Sequence, residues 1–379
     1  ISDRRQAEQA LADANERRDW RIFQDFGLIL IRMAQELYQG DPFALELEQP
    51  LYAFDSTTID LCLSLFPWAE FRTTKAAVKM HTLLDLRGSI PTYVAITAGK
   101  VHDVRMLDQL PVTRDAIYTM DKAYTDFKRL YRLHKQEAFF VIRAKDNLRF
   151  KRLYSAPKDQ AAGVRADQII ILVTPKSKRD YPEKLRRISY VDKELGKRLV
   201  FLTNNFTVSA PTVADIYKQR WQVELFFKWI KSHLRIKSFY GTSINAVKSQ
   251  IWVALNIYLL VVIAHKTLDI QCPLYTFLQI LEVNLFEKKP ISSLVADALK
   301  QIPHPCFDNQ LISFNYYPDS SDFRYLMDLP GFNQPPAVMR DGFANGSLSH
   351  FNMLNELKIL IRLLLCLTFS LAVHAGVVL

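Results

Sequence analysis

The order of the predicted elements indicates an α/β protein in which helices flank a mixed β-sheet. Short apolar runs bounded by turn residues alternate with amphipathic helical segments along the first half of the chain. Two of these runs are joined by Arg87-Gly88-Ser89, which is a hairpin signal. With 379 residues, the chain is long enough to bury a full core and to form two or three units.

The first half of the chain predicts the central sheet. Apolar residues at helical spacing predict a helix over Trp20–Tyr38. The predicted strands cover residues 51–55, 77–86, 91–97, 116–121 and 138–144, and the predicted helices between them cover Asp103–Leu110 and residues 124–136. Three strands, helix, strand, helix, strand is the order of an RNase H-like fold. In such a sheet we expect the first and fourth strands to lie side by side.

The second half interrupts this order before resuming it. Three further strands are predicted at Gln168–Thr174, Lys184–Val191 and Arg198–Thr203. We therefore expect residues 146–206 to form an inserted β subdomain. Thr212–His233 then reads as one long helix of the core. Ile251–His265 is nearly all apolar but only about 15 residues long, so a buried packing helix is favoured over a membrane span.

Positive charge is concentrated in two segments. The chain has 49 Lys and Arg against 39 Asp and Glu, a net charge of +10. Residues 143–198 hold 16 basic and seven acidic residues, and residues 217–237 hold six basic and one acidic residue. Because the two surpluses exceed that of the whole chain, the remainder is slightly acidic. Such a distribution is expected where a protein follows a nucleic-acid backbone; ordinary solvated Lys and Arg are the alternative.

The cysteine pattern indicates a reducing compartment. The four cysteines, at positions 62, 272, 306 and 366, show no paired spacing, which argues against a zinc cluster or a disulfide framework. No secretory signal precedes the first polar residues. The hydrophobic end, Leu363–Leu379, is marginal for a membrane span. We expect a cytoplasmic, nucleoid-associated protein without a membrane partner.

One mixed-charge stripe stands out within the Thr212–His233 segment. Tyr217, Arg220, Glu224 and Lys231 lie at offsets of 0, 3, 7 and 14. At ~3.6 residues per turn, they share one face of a helix. Glu224 is suited to ligate a metal ion there, while Arg220 and Lys231 neutralise phosphate oxygens. A solvated face carrying ion pairs is the alternative.

Two upstream carboxylates extend this hypothesis. Asp55 ends the apolar strand that begins at Leu51, and Asp121 ends the strand that begins at Ala116. Together with Glu224 they form the kind of all-oxygen ligand set that a pair of hard cations requires. Each Asp taken alone has another explanation, because strand ends often carry Asp as a turn former or a helix cap.

These segments resemble the DDE-type insertion-sequence transposases marked by Y-x2-R-x3-E-x6-K. The matching blocks cover residues 55–72, 75–97, 118–131, 139–145, 202–205 and 216–243, and the likeness runs from about Leu11 to Ile291. The resemblance implies that Asp55, Asp121 and Glu224 are the catalytic triad. The family usually has Asp-Arg-Gly-Tyr where this chain has Asp121-Lys122-Ala123-Tyr124. Lys122 keeps the charge without the bidentate fork of Arg, and Ala123 disfavours a positive φ.

The resemblance also implies a mechanism. Asp55 would bridge two Mg²⁺ (or Mn²⁺) ions, with Asp121 and Glu224 each completing one site, for cleavage of a DNA end and transfer of its 3′ end to target DNA. Members of the family act as a homodimer on two DNA ends. The expected DNA-binding residues are Tyr217, Arg220, Lys231, Lys228, Lys122, Arg186 and Arg187.

Five regions follow from these considerations. We expect residues 1–50 to be a truncated helical N-terminal DNA-binding region and residues 51–145 to be the first part of the catalytic core. Residues 146–206 would be the inserted basic β subdomain, residues 207–295 the second part of the core, and residues 296–379 a tail, loop-rich and then hydrophobic.

Other interpretations stay open at this point. Another RNase H-like DNA endonuclease would share the carboxylates but has no need of the Tyr-Arg-Glu-Lys stripe. A truncated or decayed copy would bind DNA without cutting it. Among single residues, Asp103 and Asp126 are expected to cap helices, and His81 is expected to be a hydrogen-bonded structural residue rather than a ligand.

Overall fold

The computed structural model describes Asp13 and most of residues 16–301. Within that range, residues 44, 46, 158, 193–195, 234–235, 237–238, 240, 285–286 and 288 are not described. The predicted tail, with its hydrophobic end, falls almost wholly outside the described residues, as does the first part of the N-terminal region. The chain divides into two compact units, Ile1–Leu259 and Leu260–Leu379.

The first unit is built on a ten-stranded mixed sheet. Its strands are β1 Leu51–Leu61, β2 Glu70–Arg72, β3 Lys75–Asp85, β4 Ile90–Ala98, β5 Ile117–Met120, β6 Phe139–Arg143, β7 Phe150–Ser155, β8 Val164–Leu172, β9 Leu185–Val191 and β10 Arg198–Thr203. The strand order is β2-β3-β1-β5-β6-β10-β9-β8-β7, with β4 paired to β3. β5 runs parallel to β1 and to β6, and the other pairs are antiparallel. The expected neighbourhood of the strands bearing Asp55 and Asp121 is therefore confirmed.

The described residues of the two units form eight α-helices. They are α1 Arg21–Tyr38, α2 Phe127–Lys135, α3 Pro175–Asp180, α4 Ala210–Gln219, α5 Trp221–His233, α6 Ile244–Thr267, α7 Leu274–Val283 and α8 Ile291–Gln301. Short 3₁₀ helices cover Pro67–Ala69, Asp103–Gln109 and Lys122–Tyr124. The second unit contains the end of α6 together with α7 and α8.

The single helix predicted over Thr212–His233 is wrong, because the structure divides it into α4 and α5 at Arg220. The Arg220 N–H donates to the carbonyl of Tyr217, and the Val223 N–H donates to the carbonyl of Arg220. Both bonds span three residues, so the backbone tightens locally. Apolar periodicity does not reveal such a break, since the side-chain pattern continues through it.

Strands β7 to β10 continue the central sheet. β10 pairs antiparallel with β6 through Phe201↔Arg143 and Thr203↔Val141, so this segment shares its backbone hydrogen bonds with the core. The boundaries proposed for an inserted subdomain stay a prediction. β7 is not predicted from the sequence, because its residues are almost all exposed and show no alternation of burial.

Each face of the sheet is covered by helices. Along β5, Tyr118 and Met120 point to one face and belong to a core cluster that also contains Leu130 and Leu133 of α2. The opposite face carries α4 and α5, of which α4 contacts β5 and β6 while α5 packs along β1.

Helix α6 is the described helix that is long and apolar enough to cross a membrane by length and composition. Its mean hydropathy is 1.7, and 89% of its most apolar window is buried inside the protein. This combination is also found in the core helix of a globular protein. It agrees with the buried packing helix predicted over Ile251–His265.

Gly27 allows α1 to approach α6 closely. A Cβ at Gly27 would lie 2.6 Å from Oδ1 of Asn256 and 2.9 Å from the Trp252 ring. We therefore expect Gly27→Ala to lower the free energy of unfolding by about 1–3 kcal/mol, although the same change in an exposed helix is stabilising by about 1 kcal/mol. Urea unfolding measures the difference. The control is Gly40→Ala, where a Cβ would meet no atom within 4 Å; equal stability of the two variants would show that α1 does not pack this tightly.

Candidate active site

Asp55 and Asp121 are brought together by the parallel pairing of β1 and β5. The last pair in this register is Phe54↔Met120, so Asp55 and Asp121 are the next residues on each strand. β5 ends there, while β1 continues to Leu61 and stays paired with β3. A gap therefore opens beside β1, and both carboxylates lie at its edge.

The Asp55 carboxylate is held from two sides. Oδ1 accepts the backbone N–H of Ser56 at 2.8 Å and the Tyr124 hydroxyl at 3.4 Å. Oδ2 accepts Nη1 of Arg220 at 3.0 Å. Burial raises the pKa of Asp55 to about 6, against the opposing effect of the Arg220 charge and the Ser56 N–H. The nearby Glu224 and Asp121 carboxylates raise it further.

Arg220 connects Asp55 to Glu224. Its Nη2 lies 2.6 Å from Oε1 of Glu224, one turn along α5, and only 13% of its side chain is exposed. Burial by itself lowers the pKa of Arg220, but Tyr217, Glu224 and Asp55 more than offset that effect, so the net direction is upward. The guanidinium is consequently a permanent cation between two carboxylates. Its Nε is buried and has no hydrogen-bond partner among the described residues.

Tyr217 links Asp121 to the same cluster. Its hydroxyl donates to Oδ1 of Asp121 at 3.4 Å, and its ring packs against Phe201 with centroids 4.9 Å apart. The Arg220 guanidinium lies 5.6 Å from the centre of the Tyr217 ring. Burial raises the pKa of Tyr217, so the phenol remains a hydrogen-bond donor. All three predicted carboxylates thus contact either Tyr217 or Arg220.

The predicted lysines have different environments. Nζ of Lys231 donates to the carbonyl of Thr58 at 2.8 Å, which places its ammonium beside β1 beyond Asp55. Lys228 and Lys122 are exposed. Lys122 and Ala123 lie in a 3₁₀ helix, and neither has a positive φ. The departure from the usual Asp-Arg-Gly-Tyr therefore requires no strained backbone here.

Arg186 is the clearest correction to the predicted DNA-binding residues. Its Nε and Nη2 bind both oxygens of Asp167, at 2.9 and 2.7 Å, and Nη1 binds the carbonyl of Val208. The residue is 9% exposed, so its donors are engaged inside the protein. Arg187 points to the other face of the sheet, is partly exposed and lies 5.0 Å from the Phe150 ring centre. The sequence alone does not show that two adjacent arginines differ in this way, one buried and paired and the other partly exposed.

Several neighbouring residues were missed or given another role. Asp126 caps α2 as predicted, since its side chain accepts the Arg129 N–H, and His81 is a buried hydrogen-bonded residue, as expected. Asp103 is the first residue of its 3₁₀ helix, whose N-cap position is His102, and its carboxylate binds Ser56 and Lys79. Arg143 was not predicted as a site residue. It directly follows Ile142, the partner of Met120, so it reaches the same edge as Asp121, and its charge acts on Tyr217.

The donor types of the three carboxylates suit a hard divalent cation, because Mg²⁺ and Mn²⁺ prefer oxygen ligands. Three carboxylates against one buried guanidinium also leave an excess of negative charge. In the part of the chain that the structure describes, no group of three or more His, Cys, Asp or Glu side chains is arranged closely enough to hold a metal ion. The cation that lies between Asp55 and Glu224 here is Arg220. The residues fit such an ion by donor chemistry.

Comparison with known proteins decides the family. The family model for the transposase DDE domain matches residues 46–260, which is more than half of the chain and includes all three carboxylates. The chain belongs to the DDE transposase family. Members of this family generally use divalent metal ions.

Individual relatives are named as transposases. The chain is 31% identical over 293 residues to "Putative transposase y4zB" of Sinorhizobium fredii, covering 76% of this chain and 80% of that protein. It is 34% identical over 219 residues to "Probable transposase for insertion sequence element IS5377" of Geobacillus stearothermophilus, covering 57% of each. Among solved structures, the piggyBac transposase synaptic complex with hairpin DNA matches with a TM-score of 0.37 and 13% identity, over 72% of this chain and 59% of that one.

The raised pKa of Asp55 predicts how the stability of this DDE transposase chain depends on pH. Between the ordinary aspartate pKa of 3.8 and the raised value of about 6, the folded state binds more protons than the unfolded state. The contribution of Asp55 to the free energy of unfolding is therefore fully present below about pH 4 and is lost as the pH rises through about 6. We expect Asp55→Asn to raise the free energy of unfolding by roughly 1–3 kcal/mol at pH 8 and to leave it unchanged at pH 4.

Urea unfolding in a chelating buffer measures this dependence. The matched control is Asp60→Asn, which makes the same change at an exposed position of β1 and removes no buried carboxylate. Equal stability of Asp55→Asn and wild type at pH 8 would contradict the raised pKa.

Proposed function

We propose that the chain is the transposase of an insertion sequence, which binds terminal inverted repeats and catalyses metal-dependent DNA cleavage and strand transfer. One observation supports this most directly. Asp55 and Asp121 directly follow the last paired residues of the adjacent parallel strands β1 and β5, and the Arg220–Tyr217 pair joins both of them to Glu224 on α5. Three carboxylates gathered in one partly buried place would destabilise a purely structural core, because their desolvation is unfavourable.

We further propose that the core is RNase H-like. The supporting features are the antiparallel β3–β1 pairing, the parallel β1–β5–β6 pairing and a helix bearing Glu224 that packs along β1. In this arrangement, the sheet supplies two carboxylates and a helix supplies the third. Strands β7 to β10 extend the sheet as the inserted basic region of residues 146–206.

Asp55, Asp121 and Glu224 would hold two Mg²⁺ or Mn²⁺ ions in the proposed enzyme. When bound, such ions lower the pKa of a nucleophilic water or 3′-hydroxyl and stabilise the leaving oxygen of the phosphodiester. The residues of this chain supply the rest. Ser56 and Tyr124 fix one oxygen of Asp55, and Tyr217 fixes one oxygen of Asp121.

Basic groups around the carboxylates would contact the DNA backbone. Arg220 supplies a permanent positive charge beside Asp55 and Glu224, which would attract a phosphate group. Lys231 lies beside β1, and Arg143 reaches the edge of Asp121. Lys122 and Lys228 are exposed. We propose these five residues, with Tyr217, as the groups that position double-stranded DNA, either transposon ends or target.

We also propose a homodimer on DNA as the active assembly and a cytoplasmic, nucleoid-associated location. Strand transfer requires two ends to be held together, and a dimer supplies two equivalent sites for them. A strand-transfer assay with pre-cleaved ends distinguishes this function from that of another RNase H-like endonuclease, which would cut but not join.

Substitution of the carboxylates tests the catalytic proposal. Asp55→Asn, Asp121→Asn and Glu224→Gln should each reduce cleavage of an end-containing duplex to background, because each removes a ligand charge from the proposed metal site. DNA affinity should remain within a few-fold of wild type, since phosphate contacts elsewhere supply most of it. Asp60→Asn on the same strand is the control and should cleave normally. Wild-type cleavage by any of the three site variants would refute its assignment.

Substitutions at Arg186 and at Arg187 should have different effects on stability and on DNA binding. Arg186→Gln leaves Asp167 buried without its cation, so we expect a loss of about 3–5 kcal/mol in the free energy of unfolding. Arg187→Gln should leave stability nearly unchanged and lower the slope of log affinity against log salt by about 0.9, the value for one lost phosphate contact. Fluorescence anisotropy with duplex DNA at several salt concentrations measures the slope. An unchanged slope for Arg187→Gln would remove this residue from the DNA surface.

A further inference from the structure

A second polar cluster lies directly behind Asp55. The Asp103 carboxylate, at the start of the 3₁₀ helix Asp103–Gln109, accepts the Ser56 hydroxyl at 2.8 Å. Nζ of Lys79 lies 3.1 Å from the same oxygen and also donates to the carbonyl of Val101 at 3.0 Å. Nδ1 of His81 is 3.8 Å away. The cluster therefore joins β1, β3 and the segment that follows β4.

The strand register explains why these groups meet. Ser56 pairs with His81 and Thr58 pairs with Lys79 across β1 and β3, so Ser56, His81 and Lys79 share one face of the sheet. Asp55 points to the other face, towards Arg220. Ser56 thus connects the two faces: its hydroxyl donates to Asp103, and its N–H donates to Oδ1 of Asp55.

The Asp103 carboxylate contacts β1 through Ser56 and β3 through Lys79. Asp103 is the first residue of its 3₁₀ helix, after the N-cap residue His102. It is 32% exposed, whereas the Lys79 side chain that it binds is 12% exposed. His81 is fully buried, its Nε2 is engaged with Thr97, and its Nδ1 has no hydrogen-bond partner among the described residues. The interactions of Asp103 converge on Ser56 and Lys79, beside the residue that bears the proposed metal ligand.

We propose that Asp103 is a positioning residue for the active site, which acts through Ser56 to fix the orientation of the Asp55 carboxylate. This inference rests on the proposed function, in which Asp55 binds the metal ions. The Asp103–Ser56 hydrogen bond anchors the backbone after Asp55, so the Ser56 N–H is held in line with Oδ1. Oδ2 is then presented to the cluster of Glu224 and Arg220.

The size of the effect follows from what such supporting groups do elsewhere. A carboxylate that ligates a metal depends on hydrogen-bonded neighbours for its orientation, and removal of these partners typically reduces metal affinity or activity 10–100-fold. Loss of the anchor should therefore weaken metal binding and slow cleavage, while DNA affinity, which depends on other residues, stays the same.

The experiment compares Asp103→Ala with Asp103→Asn and with a matched control. The readouts are the dissociation constant for Mn²⁺ without DNA, measured by electron paramagnetic resonance of the free ion, and the single-turnover rate of cleavage. We expect Asp103→Ala to lose about 10–100-fold in both. Asp103→Asn still accepts the Ser56 hydroxyl and should lose less than about threefold. The control is Asp108→Ala in the same 3₁₀ helix, whose partner Arg129 lies on α2; it should retain wild-type values.

A double-mutant cycle separates positioning from a general loss of structure. Ser56→Ala should weaken Mn²⁺ binding as much as Asp103→Ala does, whereas Ser56→Thr, which keeps a hydroxyl, should have the wild-type dissociation constant. The Ser56→Ala/Asp103→Ala double variant should bind Mn²⁺ no more weakly than the worse single variant. If Asp103→Ala fails to fold, the Ser56 variants and Asp103→Asn carry the comparison. Multiplicative losses in the double variant, or equal behaviour of Asp103→Ala and Asp108→Ala, would overturn the inference.

The two proposals fail in different ways. Mn²⁺ binding and cleavage that survive Asp55→Asn would refute the proposed function. If Asp55→Asn loses Mn²⁺ binding and cleavage while Asp103→Ala and Ser56→Ala keep wild-type values, the proposed function stands and only the positioning role is refuted.

Discussion

The site depends on one charge arrangement, the Arg220 guanidinium held between Asp55 and Glu224. Carboxylates at a partly buried strand end are unstable without a counter-ion, since each loses hydration and repels the others. Arg220 reduces that repulsion with two short contacts, at 3.0 and 2.6 Å, and its ring contact with Tyr217 connects it to Asp121 as well. Arg220 lies between α4 and α5, four residues before Glu224.

The sheet gives this arrangement its rigidity. β1 is paired on both sides up to Phe54 and only with β3 beyond it, so Asp55 lies at the boundary between a fully covered strand and an open gap. Burial there raises the pKa of Asp55 to about 6. The ionised Asp55 carboxylate therefore lowers the free energy of unfolding at higher pH. Buried groups that reduce stability while gathering a specific set of donors are typical of catalytic sites.

The sequence predicted particular elements and failed on others for identifiable reasons. The strands bearing Asp55 and Asp121 were found because apolar runs ending in Asp are local signals, and Asp126 was found as a cap for the same reason. The division of the helix at Arg220 was missed because it depends on two backbone hydrogen bonds. β7 was missed because an exposed edge strand has no alternation of burial. Arg186 was misassigned because the sequence does not show that Asp167 lies across the β8–β9 ladder.

By itself, the sequence determined the family to which the chain belongs, and it predicted the three carboxylates and the Tyr217–Arg220 pair beside them, because chemical type and spacing are local properties of the chain. Only the tertiary structure decided which of the basic residues are accessible and which are engaged inside, as Arg186 is. It also decided that Ser56, Lys79 and Asp103 form one cluster behind Asp55. The physical reason is that hydrogen bonds between β1, β3 and the segment after β4 join residues up to 47 positions apart, and no local pattern encodes their register.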